Sequence, residues 1–376
     1  MLLMLKRRII YFQAKLAVGA CEEHFYFLMQ GIDKNKFDVT FVCPKNASLD
    51  PLVTSIEALG IKVYRYPLDN SNYRCILYLS SFFRESRQNL IHFSDPCING
   101  IIAARLAGVP SLLMTHHTPE LNRKYSLKGR FLERIAFRHC RLYFIFTSEY
   151  DRDTGIKKDK IAPNRSFVIY YGLPPEKFKQ EYNKKEIYDE FLIVDKCRLI
   201  ANIARLAPQK GQNDLIEAAS IIIEKTKDVK FFLVGEGELE LELKTQVRKK
   251  GMQNYFIFTG HRTDIARLLS AFDILVMPSL FEGLCVAVIE ASAMGIPVIA
   301  TAVGGMRRSV VNGKTGILVP PQDPKALANA ILWILEHPKE AKEMGLAGRK
   351  HYEELFTQDK MVKKTEEFYT NIFNSK

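Results

Sequence analysis

Two glutamates with seven residues between them stand out in the second half of the chain. Glu282 and Glu290 belong to the stretch PSLFEGLCVAVIEASAMGIPVIATAVGG, and Glu290 is the only charged residue between Gly283 and Met306. A carboxylate in apolar surroundings needs a cation, hydrogen-bond donors or a proton to compensate for its lost hydration. The stretch contains no basic residue, so the partner must come from elsewhere in the chain or from a ligand.

The elements around this pair suggest what the ligand is. ILVMPS is predicted to be a strand that runs into the loop LFEG, and a helix is predicted over about 284–294. Glu282 then lies at a strand's carboxyl end beside a helix N-terminus, which attracts anions, and Gly283 lets the backbone approach a phosphate. Further along the helix, Glu290 could accept two hydroxyl hydrogen bonds from a ribose. The alternative is that Glu282 caps the helix and Glu290 pairs with a distant Arg.

Two cations in another loop suit a diphosphate. In LIANIARLAPQKGQNDLIEAA, a predicted strand is followed by Arg205 and Lys210, and then by Gly211 before a helix that opens near Asn213. An Arg guanidinium binds two oxygens at once, and a Lys ammonium adds a mobile point charge. The alternative is that these charges lie in a solvent-exposed loop without a ligand, which is the commoner case for such a sequence.

Composition limits the class of protein. The chain has 376 residues, 47% of them hydrophobic, which fits two globular domains. Its seven cysteines are scattered without a CxxC pair, which argues against a disulfide framework or a zinc site. The net charge of +12 favours anionic partners, but no basic stripe interleaved with aromatic residues supports nucleic-acid binding. No apolar run reaches the roughly 18 residues that cross a bilayer, so we expect a soluble or peripheral protein.

Short, continuous apolar runs recur between helix-like stretches in both halves of the chain. They include IIYF, FDVTFVCP, LIHFS and YFIFTS, then LIANIAR, FFLVG, ILVMPS and PVIAT. Such runs indicate strands buried on both faces, as in parallel sheets flanked by helices. Two series of them predict two doubly wound α/β domains, joined by a linker near 172–191, where proline and charge accumulate. Ligands of such sheets bind at the carboxyl ends of strands.

These motifs resemble a known family. Residues 196–355, with ARLAPQKGQNDLIEA, FFLVGEGELE, FTGHRTDIARLLSAFDILVMPSLFEGLCVAVIEASAMGIPVIATAVGG and NGKTGILVPPQDPKALANAI, are similar to the C-terminal half of family 4 retaining glycosyltransferases (group 1). The resemblance implies the GT-B fold, in which two Rossmann-like domains face each other across a cleft. Residues 1–175, completed by a helix over about 357–376, would bind the acceptor, and 176–356 would bind the nucleotide sugar.

The resemblance also implies site residues. In this family the loop cations, here Arg205 and Lys210, hold the donor diphosphate and stabilise the leaving group. The first glutamate, Glu282, lies near the donor sugar and acts in catalysis, and Glu290 binds the ribose. The backbone at Gly283 and Leu284 completes the predicted donor site.

The N-terminal half resembles the family more loosely. VGACEEHFYFLMQGIDKNKFDVTFVCP is similar to its glycine-rich first loop, with Gly19 near the donor, although Ala20 replaces a glycine common in the family. SLLMTHHTPE matches the family's Thr-x-His-Thr pattern at His117, which would contact the transferred sugar. A lone histidine at a strand end is otherwise more often structural. Arg308 stands where the family commonly has glutamate, and exposure at a helix start explains it as well as donor choice does.

The implied activity is transfer of a hexose-type unit from a UDP- or GDP-sugar, with retention, to a glycan or lipid-linked acceptor of cell-surface polysaccharide synthesis. We expect no cofactor and no metal, because the loop cations take the metal's place. The basic stripe predicted over 123–141 could rest on anionic membrane at the inner face of a cytoplasmic location, or simply face water. The rival functions are a nucleotide-sugar epimerase of the same fold and, far behind it, a basic nucleic-acid-binding protein.

Overall fold

A computed structural model describes residues 6–14, 16, 20–67, 72–94, 96–116, 142–194 and 196–374. The chain divides into two compact units. The first consists of Met1–Gly172 together with Gln358–Lys376, and the second is Leu173–Thr357.

A parallel sheet of seven strands forms the centre of the first unit's described residues. The strands are β1 (Arg7–Phe12), β2 (Phe37–Pro44), β3 (Lys62–Tyr66), β4 (Leu90–Phe93), β5 (Ser111–His116), β6 (Leu142–Phe146) and β7 (Ser166–Val168). They lie in the order β3-β2-β1-β4-β5-β6-β7. The helices before the unit boundary are α1 (Ala20–Gly31), α2 (Asp50–Ala58), α3 (Asn72–Ser86), α4 (Ile98–Leu106) and α5 (Glu149–Lys158).

The burial of these strands explains why most were predicted. All residues of β4 and β5 are buried, as continuous apolar runs between two helical layers should be. The edge strand β3 was not among the predicted strands. It carries Lys62 and Arg65, and only Tyr66 at its end is fully buried, so it lacks the apolar run that marks its neighbours.

The second unit is built in the same way. Its strands are β8 (Arg198–Ile203), β9 (Val229–Val234), β10 (Phe256–Gly260), β11 (Ile274–Met277), β12 (Val298–Thr301) and β13 (Gly316–Val319). Its helices are α6 (Lys184–Glu190), α7 (Gln212–Lys225), α8 (Glu240–Lys249), α9 (Ile265–Leu269), α10 (Val286–Ala293), α11 (Met306–Ser309), α12 (Pro324–Glu336) and α13 (Pro338–Leu355). The parallel strands lie in the order β10-β9-β8-β11-β12-β13. The strand order reverses between β8 and β11, the point at which doubly wound sheets bind ligands.

The chain returns to the first unit in a final helix, α14 (Gln358–Asn374), which packs on α1. A buried polar chain fixes it to the sheet: Tyr369 Oη donates to Tyr11 Oη at 2.9 Å and is hydrogen-bonded to His92 Nδ1 at 2.6 Å. His92 Nε2 continues the chain to Thr115 Oγ1 at 2.6 Å. Burial lowers the pKa of His92 well below its usual value, so the ring is neutral.

The segment interpreted above as a linker is packed into the second unit. It contains a short 3-10 helix, Pro175–Phe178, as well as α6. Leu173, Phe178, Ile187 and Tyr188 are all buried. The boundary between the units falls at the start of this stretch, between Gly172 and Leu173. The linker interpretation of 172–191 is nevertheless wrong, because these apolar side chains enter the core of the second unit.

Candidate functional site

Two loops at the strand-order reversal are joined to each other. Leu280 N–H donates to Gln209 O at 2.8 Å, and Gln209 Nε2 donates to Phe281 O at 3.0 Å. Gly211 has a left-handed φ of 65°, and a Cβ atom on it would lie 2.0 Å from Pro278 O. Only glycine therefore fits where the loop after β8 crosses the loop after β11.

Two buried amides brace the first of these loops. Gln212 Nε2 donates to Arg205 O at 3.0 Å and to Asn202 Oδ1 at 3.3 Å. Asn202 Nδ2 in turn donates to Val276 O in β11 at 2.9 Å. This arrangement fixes the backbone at Arg205, whose side chain is exposed. Neither amide was predicted from the sequence, although the position of an amide on each side of the Arg–Lys loop is a signal that could have indicated them.

Lys210 and Glu282 meet where the two loops join. Lys210 Nζ lies 2.5 Å from Glu282 Oε1, and Ser279 Oγ donates to the same oxygen at 2.9 Å. Burial disfavours the charged form of Lys210, but the Glu282 carboxylate outweighs it and raises the pKa of Lys210. Burial and the same carboxylate raise the pKa of Cys285 to about 12, so this thiol is protonated and no nucleophile. The structure thus brings together residues from two motifs that are 72 positions apart.

Gly283 and Leu284 lead from Glu282 into α10. The N-cap residue of this helix, Cys285, makes no side-chain capping hydrogen bond. Gly305 N–H, from the loop after β12, donates to Glu282 O at 3.1 Å. The first turn of α10 therefore begins beside the Lys210–Glu282 contact, with its positive dipole end toward the loops.

Glu290 lies inside α10 and is paired with a cation from the chain. Its carboxylate is only 8% exposed, and Lys177 Nζ lies 2.9 Å from Oε1. Lys177 belongs to the 3-10 helix Pro175–Phe178, which contacts α10. The alternative considered above expected a distant Arg, and the ion-pair partner found here is a Lys.

Some predicted residues lie outside the part of the chain that the structure describes. These are Gly19, His117 and the basic stretch 123–141. Just before His117, Thr115 and His116 end β5 and are both buried. The His116 ring lies 5.3 Å from that of Phe146, between ring centroids.

The described residues contain neither a candidate metal cluster nor a candidate membrane-spanning helix. Among them, no three His, Cys, Asp or Glu side chains are grouped so that they could hold a metal ion. No helix within the described ranges has both the length and the apolar character needed to cross a membrane.

The arrangement is suited to an anionic ligand with a polyol attached. Arg205, Lys210 and the start of α10 supply positive charge and N–H donors at the carboxyl ends of adjacent strands. Glu282 and Glu290 add carboxylates that accept hydroxyl hydrogen bonds. A nucleoside diphosphate sugar has both chemical features.

Two family models match most of the chain. The model described as "Glycosyl transferases group 1" matches residues 183–351, and that described as "Glycosyltransferase Family 4" matches residues 21–177. The chain belongs to the family 4 glycosyltransferases. The resemblance drawn from the motifs is thereby confirmed.

Relatives of this family 4 glycosyltransferase include an Escherichia coli "UDP-Gal:alpha-D-GlcNAc-diphosphoundecaprenol alpha-1,3-galactosyltransferase", 29% identical over 81% of this chain and 82% of its own length. A Campylobacter jejuni "N,N'-diacetylbacillosaminyl-diphospho-undecaprenol alpha-1,3-N-acetylgalactosaminyltransferase" is 27% identical over 85% of this chain and 88% of its own. Among solved structures, Anabaena HepE in complex with UDP superimposes with a TM-score of 0.86 at 20% identity, covering 97% of this chain and 100% of HepE. The predicted GT-B fold is confirmed by this match.

Proposed function

We propose that this enzyme transfers a sugar from a UDP- or GDP-sugar to a lipid-linked or glycan acceptor, with retention at the anomeric carbon and without a metal ion. The named substrates of the relatives support this proposal: the Escherichia coli enzyme uses UDP-Gal and a diphosphoundecaprenol acceptor, and the Campylobacter jejuni acceptor is also linked to diphospho-undecaprenol. HepE was solved with UDP-glucose. Family membership favours retention.

The observation that carries the proposal is the contact between the two loops. The Lys210–Glu282 pair holds a cation from the β8 loop against a carboxylate from the β11 loop, at the point where the strand order reverses. Apolar packing of similar volume often stabilises a fold as well as a buried ion pair does, so stability alone does not account for this pair. A diphosphate at Lys210 and a sugar at Glu282 give both groups a use.

The proposed reaction is a front-face displacement. The bond between the anomeric carbon and the diphosphate oxygen breaks, the acceptor oxygen bonds to the same carbon on the same face, and the acceptor's proton passes to the departing diphosphate. Negative charge grows on the diphosphate during this step, and Arg205, Lys210 and the N-terminus of α10 would stabilise it. Glu290 would hold the ribose, and Glu282 would orient the sugar.

The remaining assignments stay predictions. His117 would contact the transferred sugar and Gly19 would approach the donor, as the family resemblance implies. A lipid-linked acceptor fits a cytoplasmic enzyme that works at the inner face of a membrane, and the role belongs to cell-surface polysaccharide synthesis. The basic stretch 123–141 is the proposed membrane contact.

A nucleotide screen tests the proposal first. Melting temperatures are measured with UDP, GDP and ADP, because a ligand at a hundred times its dissociation constant stabilises the folded state by about 2.7 kcal/mol. We expect a rise with UDP or GDP. No response to any nucleotide would refute the assignment.

The matching sugar donor then separates the rival functions. A transferase needs an acceptor and gives a product whose anomeric proton shows the donor's configuration by NMR. An altered sugar nucleotide formed from donor alone would identify an epimerase instead. Salt-sensitive binding of oligonucleotides, with no rise in melting temperature on adding any nucleotide, would favour a nucleic-acid-binding protein.

A further inference from the structure

The cation that contacts Glu290 lies far from it in the sequence. Lys177 comes from a segment 113 positions earlier in the chain. That segment is anchored in the second unit at its start: Leu173 N–H donates to Phe356 O at 2.9 Å, and Tyr352 Oη donates to Leu173 O at 3.0 Å. Leu173 is fully buried, so the backbone that leads to Lys177 has a fixed starting point.

The turn that carries Lys177 is also fixed. Pro174 and Pro175 open its 3-10 helix, and a proline's φ is set by its ring. Phe178 is buried, with its ring centroid 6.0 Å from that of Tyr352. Lys177 Nζ lies 5.9 Å from the centroid of the Phe178 ring, within cation–π distance. The fixed turn and the buried Phe178 ring together limit the positions that the Lys177 ammonium can take.

The position of the ammonium matters for a ribose. A carboxylate has about four lone-pair sites, so an ammonium at Oε1 is compatible with hydroxyl donors on the same group. Hydrogen bonds to an ionised carboxylate are about twice as strong as those to a neutral acceptor. A carboxylate that is 8% exposed keeps its charge at neutral pH only if a cation or several donors face it.

We propose that Lys177 is a positioning residue for ribose recognition. It holds the Glu290 carboxylate ionised and in one orientation, so that the nucleotide's ribose hydroxyls meet a charged acceptor. Lys177 acts through Glu290 and need not touch the ligand. The inference rests on the proposed function, because it assumes that a nucleotide occupies this site.

The test compares UDP with 2′-deoxy-UDP by calorimetry. The wild-type enzyme should bind UDP about tenfold more tightly than the deoxy analogue, the ratio expected for one charge-assisted hydrogen bond. Lys177→Met should weaken UDP binding by about tenfold and bring the ratio of the two affinities close to one. Lys177→Arg should keep most of the ratio. The matched control is Lys179→Met. Lys179 lies two residues after Lys177 and forms an exposed pair with Glu176, so its replacement should leave the ratio unchanged.

A double variant keeps the proposal testable if Lys177→Met folds poorly. Lys177→Met/Glu290→Gln removes both members of the ion pair and so leaves neither charge without its partner. Its ratio of UDP affinity to 2′-deoxy-UDP affinity should equal that of Glu290→Gln alone, because both changes remove the same interaction. Independent, additive losses would overturn the proposal. So would a Lys177→Met enzyme that keeps the wild-type ratio while melting at a lower temperature, which is the behaviour of a purely structural ion pair.

The failure of the proposed function is recognised separately. A wild-type protein that binds neither UDP nor GDP fails as a nucleotide-sugar enzyme before Lys177 is tested. A wild-type protein that binds UDP and its deoxy analogue equally well retains the proposed function but overturns the role of the Glu290–Lys177 pair.

Discussion

Glu290→Gln is the substitution that best separates a ligand-binding carboxylate from a structural one. It keeps the shape of the side chain and one acceptor oxygen, and it removes the charge that faces Lys177 at 2.9 Å. A structural role predicts a loss of stability only. A ribose-binding role predicts a loss of nucleotide affinity as well.

The stability cost follows from the exposure of the cation. Removing one partner of a fully buried ion pair costs about 3–5 kcal/mol, because the other charge is stranded. The Lys177 side chain is 29% exposed, so water can solvate it and the glutamine oxygen can still accept its hydrogen bond. We therefore expect a cost of about 1–2 kcal/mol. In a domain of this size, that lowers the melting temperature by about 2–8 °C.

The affinity cost follows from the change in hydrogen-bond type. A charge-assisted bond to a ribose hydroxyl becomes a neutral one, which costs about 1–3 kcal/mol, or roughly thirtyfold in dissociation constant at the middle of that range. The two quantities are measured by thermal melting and by calorimetric titration with UDP. Glu353→Gln is the matched control, since it alters an exposed pair with Arg349 on α13.

A fall in melting temperature with unchanged UDP affinity would refute the ribose role.

Three further predictions concern other parts of the molecule. Gly211→Ala should disrupt the crossing of the two loops and weaken UDP binding by at least about tenfold, because the added Cβ would lie 2.0 Å from a carbonyl oxygen. Gly251 has a similar φ of 66° but no neighbour within 4 Å of an added Cβ, so Gly251→Ala is the control and should bind UDP normally. Glu282→Gln should lower the turnover number more than it lowers UDP affinity, since its proposed partner is the sugar, and steady-state kinetics with unchanged turnover would contradict this. Burial lowers the pKa of His24 to about 3 and that of His92 well below its usual value, so below about pH 6.5 the unfolded chain binds protons that the folded chain does not. The free energy of unfolding should therefore fall as the pH drops from 6.5 toward 3, by up to about 1.4 kcal/mol per pH unit for each histidine. Urea unfolding curves with equal midpoints at pH 7 and pH 5 would contradict this prediction.

The sequence predicted the sheets because parallel strands leave a clear pattern. Strands such as β4 and β5 are buried on both faces and are therefore continuous apolar runs. The edge strand β3 has neighbours on one side only, and its Lys62 and Arg65 break the run. The pattern failed where the physical cause of the pattern, burial on both faces, is absent.

The loops of the site were predictable to a different degree. That Arg205, Lys210 and Glu282 follow strands could be inferred locally, and strand-end loops of one parallel sheet share an edge. Lys210 reaches Glu282 because β8 and β11 are adjacent in the sheet, and this adjacency depends on the strand order. Strand order is set by packing of the whole unit and is not written in any one segment.

The partner of Glu290 could not be predicted from the sequence. Lys177 is 113 positions away, in a segment whose prolines and charges indicated a linker. Its packing depends on a few apolar side chains, among them Leu173 and Phe178, that carry no helical or strand period. The contact forms only when the segment that carries Lys177 packs on α10, the helix that carries Glu290.

The central claim is that the loops after β8 and β11 bind a nucleoside diphosphate, and calorimetric titration with UDP, or GDP if the screen prefers it, tests it most directly. The Arg205→Ala/Lys210→Ala enzyme should bind at least about a hundredfold more weakly than the wild type, because two charged contacts of about 1.5–3 kcal/mol each are lost. Arg205→Ala alone alters an exposed side chain and should already weaken binding by about tenfold or more in an enzyme with an unchanged melting temperature. Lys225→Ala/Lys227→Ala removes two exposed cations at the far end of α7, the last residue of the helix and one just beyond it, and this enzyme should bind the nucleotide normally. Wild-type affinity in the Arg205→Ala/Lys210→Ala enzyme would contradict the account.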